Sequence, residues 1–208
     1  MPIVALVGNK GGTGKTTLCV NLAAVLSASA PTVILDADPQ GSSLQWRELA
    51  DSASAVAVLD AVDDVDEVIE ASHREHEYLV IDCPPSVFAY QTARVLALCD
   101  VALIPVQPSP LDIWATVHIE DKVTEARQTN PGLRALLVIN QLEPRTRLSR
   151  LMRDALAELS LPVAETAIRR RVAYRSSVLD GRTVVDTGKR GNAAAEEISQ
   201  LIDEVLGA

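Results

Sequence analysis

The chain has 208 residues, of which 48% are apolar and only 3% are aromatic. This length fits one domain, and a core built from Val, Leu, Ile and Ala is typical of parallel strands covered by helices. The net charge of -9 argues against a protein that coats nucleic acid over its whole surface. We therefore predict a single α/β domain over residues 1–208.

Short apolar runs alternate with segments of helical periodicity along the chain, which is the βαβ pattern of a parallel sheet. The predicted strands are 3–7, 32–36, 78–82, 101–106 and 135–140, with 162–166 as a further candidate. The predicted helices are 16–28, 41–51, 63–73, 88–98, 111–128, 146–159 and 192–206. This order predicts a doubly wound, mostly parallel central sheet flanked by helices.

The first predicted strand is followed by a glycine-rich loop, KGGTGKTT, at residues 10–17. In the phosphate-binding motif G-x-x-x-x-G-K-[ST], backbone N–H groups surround phosphate oxygens, the lysine neutralises them and the hydroxyl binds magnesium. Gly14, Lys15 and Thr16 match the second half of this motif, whereas Asn9 occupies the place of its first glycine. A glycine-rich turn alone could be a tight strand-to-helix connection, but the lysine and threonine favour a phosphate site.

This loop resembles the deviant Walker A box, K-G-G-x-G-K-[ST]-[ST], of the ParA/MinD family of ATPases, and it matches at all eight positions. The resemblance implies a P-loop ATPase with ATP and Mg²⁺ as cofactors. It implies that Lys15 serves the nucleotide of its own subunit, whereas Lys10 reaches the nucleotide of a partner subunit in an ATP-dependent homodimer. The ATP-binding residues that it implies in the loop are Gly11, Gly12, Thr13, Gly14, Lys15, Thr16 and Thr17, and Thr16 would also bind magnesium.

Two further strand ends carry carboxylates. In DADPQGSS, Asp36 and Asp38 are expected on the same side because side chains alternate along an extended chain; an ordinary strand-end turn with a helix cap is the alternative. The family has DxDPQ here, which implies that Asp36 lies near the magnesium shell and that Asp38 orients the attacking water. In YLVIDCPP, Asp82 ends a strand as a Walker B element requires and is expected to hold magnesium, unless it only caps the next turn.

Later segments extend the resemblance. VALIPVQPSPLDIWA, at 101–115, is similar to a segment of short ParA proteins that lies at the subunit interface. Asn140 looks like the adenine-reading asparagine of the family, since its amide offers both a donor and an acceptor; a strand-end asparagine that caps a turn is the alternative. The resemblance also places Arg169 close to adenine. For Trp46 and Trp114 we expect packing in the core.

Basic residues are concentrated in one part of the chain. Residues 141–190 carry eleven Lys and Arg against six acidic residues, a net charge of +5, whereas the rest of the chain carries -14. Such a segment suits contacts to phosphates that do not read bases. The candidate DNA-binding residues are Arg170, Arg171, Arg175, Lys189 and Arg190, with ordinary solvated side chains as the alternative.

Cysteine spacing and the last predicted helix argue against two other branches of the family. Cys19, Cys83 and Cys99 lie in apolar runs without C-x-x-C spacing, which argues against an iron–sulfur cluster. Helix 192–206 contains four acidic and no basic residues, so that an anionic membrane would repel it.

We therefore predict a cytoplasmic, nucleoid-associated ParA-like ATPase that binds non-specific DNA but no membrane. Its activity is expected to be weak alone and stimulated by DNA and by a ParB-like or other adaptor protein. It would position a cargo such as a plasmid, a chromosome or a protein microcompartment. The alternative is a P-loop enzyme of the same superfamily that transfers a phosphoryl group to a small molecule, as dethiobiotin-synthetase-like relatives do.

Overall fold

The computed structural model describes residues 2–50 and 56–207. The strands within these ranges are β1 (Ile3–Leu6), β2 (Thr32–Asp36), β3 (Ala57–Asp60), β4 (Tyr78–Asp82), β5 (Val101–Val106) and β6 (Arg134–Ile139). The α-helices there are α1 (Lys15–Ser27), α2 (Ser42–Leu49), α3 (Val65–Ser72), α4 (Tyr90–Leu98), α5 (Pro110–Ala126), α6 (Arg147–Ala157), α7 (Val172–Leu179) and α8 (Asn192–Leu206). A 3₁₀ helix covers Val184–Arg190.

The strands form one six-stranded sheet in the order β3-β2-β4-β1-β5-β6, and neighbouring strands are parallel throughout. The predicted doubly wound sheet is therefore confirmed, and it is fully rather than mostly parallel. β1 lies between β4 and β5, and Asp82 of β4 pairs in register with Leu6 on one side and with Asp36 of β2 on the other. The carboxyl ends of β1, β2 and β4 consequently meet at one edge of the sheet.

Side chains that alternate along each strand pack into two separate layers, as expected for a sheet covered on both faces. Ile3 and Ala5 face the layer that contains apolar residues of α3, α4, α5 and α6. Val4 and Leu6 face the layer that contains residues of α1, α2, α7 and α8. None of the helices in the two described ranges has the length and apolar character needed to cross a membrane.

Most predicted elements lie within two residues of their observed ends. For the predicted helix 41–51, residue 51 lies outside the described residues, and α2 ends at Leu49. The predicted strand 162–166 is wrong: Val163 forms an isolated bridge with Leu137 of β6, and no regular strand follows. Pro162 and Ala164 exchange backbone hydrogen bonds with Leu137, and Ile168 next donates its N–H to Ile139, so the chain follows β6 without the continuous pairing of a strand.

Three elements had no counterpart in the predicted set. β3 is a four-residue edge strand that is largely exposed although three of its residues are apolar, and it was not among the predicted buried strands. The helix α7 and the 3₁₀ helix before α8 are short and follow basic or glycine-containing sequence. Their positions depend on packing against α1 and α8 rather than on a strong local period.

Candidate nucleotide-binding site

The glycine-rich loop connects the end of β1 to the first turn of α1, where the free N–H groups of a helix N-terminus suit an anion. Gly12 and Gly14 have φ values of +79° and +94°, in the left-handed region that favours glycine. A Cβ atom on Gly14 would also lie closer than 3.0 Å to Nδ2 of Asn140. Gly14 is thus required both by its backbone conformation and by the close approach of a side chain from β6.

Lys15 is buried, with only 6% of its surface exposed, and its Nζ donates a hydrogen bond to the carbonyl oxygen of Lys10 at 3.2 Å. Burial lowers the pKa of Lys15, while the charges of Asp82, Cys83 and Asp38 act in the opposite direction. The ammonium group therefore lies in a partly desolvated position beside carboxylates. A phosphate group is the kind of ligand that would compensate such a cation.

Asp36 and Asp82, at the ends of β2 and β4, are joined through Ser43 in the first turn of α2. Oδ2 of Asp36 accepts hydrogen bonds from the backbone N–H groups of Ser43 and Leu44, at 2.9 and 3.0 Å. The hydroxyl of the fully buried Ser43 donates to Oδ2 of Asp82 at 2.7 Å. Ser43 was not among the predicted site residues, although it ends the DADPQGSS segment that contains Asp36 and Asp38.

The environment of Asp82 fits a magnesium ion or a water molecule bound to one. Burial raises the pKa of Asp82 to about 6, against hydrogen bonds from Thr16 and Ser43 that lower it. Its Oδ1 atom is buried and has no hydrogen-bond partner among residues 2–50 and 56–207. Magnesium in phosphate sites is commonly held by one or two carboxylates together with phosphates and waters. No group of three or more His, Cys, Asp or Glu in the described part of the chain forms a metal cluster, so a protein-only cage is not present there.

Asp38 lies two residues beyond the end of β2, nearly buried on the same side of the site as Lys15. Its Oδ1 atom accepts the N–H of Gln40 at 3.0 Å, and its own N–H donates to Asp36 at 3.1 Å. The turn after β2 therefore holds Asp38 in a defined position. The role of this residue in orienting water stays a prediction.

Lys10 is paired within its own chain. Its Nζ lies 2.5 Å from Oδ1 of Asp112, in the first turn of α5. The Lys10 side chain is 47% exposed, whereas Asp112 is only 3% exposed, and the Oδ2 atom of Asp112 has no partner in the described part of the chain. Asp112 was not singled out from the sequence, although the segment VALIPVQPSPLDIWA contains it.

A pocket beside the loop is suited to a nucleotide base. Its lining residues are Gly14, Thr17, Leu18, Asn140, Gln141, Ile168, Arg169, Arg170, Arg171, Tyr174 and Arg175. Asn140 donates from Nδ2 to the carbonyl of Thr13 at 2.6 Å, and its Oδ1 accepts the N–H of Gln141 at 2.9 Å. Because a side-chain amide has two N–H groups and two lone pairs, one of each stays available to a ligand.

Two glutamines, each following one of the neighbouring strands β5 and β6, also bind the glycine-rich loop. Nε2 of Gln107 and Nε2 of Gln141 both donate to the carbonyl of Gly12, at 2.5 and 3.3 Å. Neither was predicted as a site residue. Gln107 belongs to the segment that resembles ParA proteins, whereas Gln141 carries no such signal.

The predicted DNA-binding residues fall into two groups. Arg170 forms an ion pair with Glu143, and Arg171 forms one with Glu197. Arg175, Lys189 and Arg190 are exposed and form no ion pair with the described residues. The structure therefore brings together Arg169, Arg170 and Arg171 at the pocket wall, with their charge partly compensated by acidic residues.

The two tryptophans differ. Trp46 is buried in the core, as expected. For Trp114 the expectation is wrong, because its side chain is 68% exposed. The buried face of α5 carries Ile119 and Val123, and Trp114 lies on the other face of the helix.

These features define a P-loop nucleotide-binding protein: a parallel sheet whose first strand leads through a glycine-rich loop into a helix, with carboxylates at the adjacent strand ends. The model of the CobQ/CobB/MinD/ParA nucleotide-binding domain matches residues 4–184. The chain belongs to this family, and the resemblance to ParA/MinD ATPases is confirmed.

Relatives of known name match nearly the whole chain. The maintenance of carboxysome distribution protein A of Halothiobacillus neapolitanus is 40% identical over 207 residues, which cover 98% of this chain and 95% of that protein. The protein of the same name from Gloeobacter kilaueensis is 31% identical over 98% of this chain and 93% of its own. Among solved structures, cobyrinic acid a,c-diamide synthase of Mycobacterium smegmatis with bound ADP and magnesium has a TM-score of 0.77 at 19% identity, covering 97% of this chain and 94% of that one. This last similarity concerns the fold.

Proposed function

We propose that this protein is a ParA-type ATPase that binds ATP and Mg²⁺, forms an ATP-dependent homodimer and positions a carboxysome or a similar protein microcompartment through an adaptor protein. The complete KGGTGKTT loop, with one lysine buried and the other at the surface, carries the proposal. The cargo is proposed because two relatives are named for carboxysome distribution, one of them at 40% identity over nearly the whole chain. Residues 1–208 would act as one ATPase domain in the cytoplasm, on the nucleoid.

Within one subunit, the loop N–H groups and the ammonium of Lys15 bind the phosphates, and Thr16 and Asp82 hold magnesium, with Asp36 nearby. Magnesium held there would supply positive charge to the phosphate oxygens. Asp38 orients the attacking water. Ser43 keeps Asp82 and Asp36 in a fixed relation, because its hydroxyl and its N–H bind one carboxylate each.

Lys10 supplies charge to the nucleotide of the partner subunit in this proposal. Its ion pair with Asp112 holds it within its own chain, so that this contact must be exchanged when a dimer forms. The exposed half of the Lys10 side chain makes such an exchange accessible. A cation delivered across an interface makes hydrolysis depend on dimerisation.

The base of the nucleotide would lie in the pocket beside the loop, with Asn140 and Arg169 close to it. The free hydrogen-bonding capacity of the Asn140 amide supports this placement. Pocket walls from α1 and from residues 168–175 provide apolar contact through Leu18 and Ile168.

Non-specific DNA would contact the basic surface. Arg175, Lys189 and Arg190 are the stronger candidates because they are exposed, whereas Arg170 and Arg171 are paired with glutamates. Binding through such residues would weaken as salt concentration rises, since each phosphate contact releases counterions.

The test compares ATP hydrolysis by the purified protein alone, with duplex DNA, and with DNA plus the candidate adaptor encoded by a neighbouring gene. We expect slow hydrolysis alone and stimulation by DNA together with the adaptor. Turnover that appears only when a small-molecule acceptor is added would instead support the phosphoryl-transferring enzyme. For the cargo, labelled microcompartments should lose their even spacing in cells that lack the gene, and unchanged spacing would contradict this part of the proposal.

A further inference from the structure

One wall of the base pocket is a connecting segment, residues 168–171, followed by the first turn of α7. It contributes Ile168, Arg169, Arg170, Arg171 and Tyr174 to the pocket lining. Backbone hydrogen bonds attach it to the chain after β6: the N–H of Leu142 donates to Ile168 at 2.9 Å, and the N–H of Arg170 donates to Leu142 at 3.0 Å. These bonds hold only one side of the segment.

On its other side this wall is bound by Glu197 of α8, which is only 8% exposed. Its Oε2 atom accepts the backbone N–H of Arg169 at 3.2 Å and the hydroxyl of Tyr174 at 3.3 Å. Its Oε1 atom accepts from Nε and Nη2 of Arg171, at 3.0 and 2.6 Å, and lies 3.7 Å from Nε of Arg169. Three residues of the wall are thus bound to one side chain.

Glu197 also sets the charge of the wall. Two guanidinium groups, those of Arg169 and Arg171, lie within 4.0 Å of it, and both line the pocket. A purine base is neutral, so an uncompensated cluster of cations beside it would repel itself without gaining a charged ligand. A buried carboxylate reduces this repulsion and adds charge-assisted hydrogen bonds with defined geometry.

The phosphate end of the site has no part in these contacts. Lys15 interacts with the charges of Asp82 and Asp38, and Asp82 also interacts with Thr16 and Ser43. The hydrogen bonds of Glu197 instead involve Arg169 and Arg171. A change at Glu197 should therefore alter how the base is held and leave the binding of the phosphates intact.

We infer that Glu197 is a positioning residue for the nucleotide base: by holding Arg169, Arg171 and Tyr174, it shapes the pocket wall and so contributes to nucleotide affinity. This inference rests on the proposed function in so far as the ligand is ATP. Glu197 acts through these three residues and does not itself line the pocket.

The experiment titrates ATP and inorganic tripolyphosphate, both with Mg²⁺, into the wild-type protein and into Glu197→Gln. Tripolyphosphate reports the phosphate end of the site alone. We expect Glu197→Gln to weaken ATP binding roughly tenfold, the effect of losing one charge-assisted interaction, and to leave tripolyphosphate binding unchanged. Glu196→Gln is the matched control, because Glu196 is exposed on the same helix, does not line the pocket and should change neither affinity.

Equal ATP affinity in wild type and Glu197→Gln, or an equal loss for ATP and tripolyphosphate, would overturn the inference. So would a wild-type protein that binds tripolyphosphate as tightly as ATP, since the pocket would then contribute nothing. Failure of the proposed function is a separate result, in which the wild-type protein binds neither ligand.

A second variant covers the case in which Glu197→Gln does not fold. Tyr174→Phe removes one hydroxyl, whose single hydrogen is shared between the carbonyl of Ala194 at 2.9 Å and Oε2 of Glu197 at 3.3 Å, and keeps the ring. We expect a smaller loss of ATP affinity, about two- to fivefold, again without an effect on tripolyphosphate. A Tyr174→Phe protein that folds and binds ATP as tightly as wild type would overturn the inference.

Discussion

The proposed phosphate end and the proposed base end of the site are built in different ways. The phosphate end is made of the loop between β1 and α1 and of carboxylates that end β2 and β4, three strands whose carboxyl ends meet at one edge of the sheet. The base end joins Asn140 after β6 to the segment 168–171 and to Glu197 of the last helix. A parallel sheet thus supplies the first end directly, whereas the second depends on how chain outside the sheet packs.

The largest effect is expected at the phosphate end, from Lys15→Ala. The loop would lose its buried cation among several phosphate oxygens, so ATP binding should be abolished. A direct titration with ATP and with tripolyphosphate measures this loss, which should affect both ligands equally. ATP affinity equal to that of wild type would remove Lys15 from the site.

Asp38→Ala should separate binding from chemistry within the phosphate end. The substitution removes a group assigned to water orientation and leaves the phosphate contacts, so ATP should stay bound without being hydrolysed, and the dimer should persist. Chromatography after incubation with ATP, together with a phosphate-release assay, gives both readouts. A protein that hydrolyses normally or remains monomeric would contradict the assignment.

Lys10→Ala tests whether the outer lysine belongs to the subunit's own site or to the partner's. The variant should still bind ATP as a monomer, but ATP-dependent dimerisation and DNA retention should fall, since a symmetric interface would lose two charge-assisted contacts of about 1.5–3 kcal/mol each. ATP affinity, dimer mass and DNA retention should be measured on one preparation.

The control for Lys10 is Asp112→Asn, which removes the charge of its partner and keeps the shape of the side chain. Lys10 would then be less restrained within its own chain, so dimerisation should be preserved or strengthened. Loss of ATP affinity in Lys10→Ala would make Lys10 an ordinary loop lysine, and a dimer of wild-type strength would remove its role across the interface.

Gly14→Ala changes a residue that belongs to the glycine-rich loop and also lines the base pocket. An alanine at the left-handed φ of +94° would destabilise the folded backbone by about 1–2 kcal/mol. Its Cβ atom would also collide with Nδ2 of Asn140. We expect a lower melting temperature and weaker binding of both ATP and tripolyphosphate. Gly11→Ala is the matched control for the melting temperature, because a Cβ there meets no atom within 4 Å and the φ of Gly11 is not positive; equal melting temperatures of the two variants would contradict the argument.

The last prediction concerns the charge of Asp82 in the protein without nucleotide or metal. Its folded-state pKa of about 6 lies above the usual value of 3.8, so the folded protein binds the proton more tightly than the unfolded chain. The free energy of unfolding should therefore decrease as pH rises from 4 to 7, by about 1–3 kcal/mol from this group. Urea unfolding of wild type and Asp82→Asn measures the difference, and parallel pH profiles would show that Asp82 does not titrate in this range.

The sequence by itself determined the sheet and the residues of the proposed phosphate end. Central strands such as β1 and β4 are continuous apolar runs because both of their faces are buried, and the motif around Lys15 is local because one loop surrounds the phosphates. Asp36 and Asp82 could be predicted since each ends a strand. Register then brings them opposite each other.

Only the tertiary structure decided which distant residues hold these groups. Lys10 meets Asp112, Ser43 meets Asp82, and Arg171 meets Glu197, in each case across a separation that leaves no periodicity in the sequence. The exposure of Trp114 follows in the same way from the face that α5 turns towards the sheet. Side-chain pairs of this kind depend on how whole helices pack against the sheet. Glu197 is buried and its neighbour Glu196 is exposed, and the sequence does not distinguish them because both are glutamates on one helix.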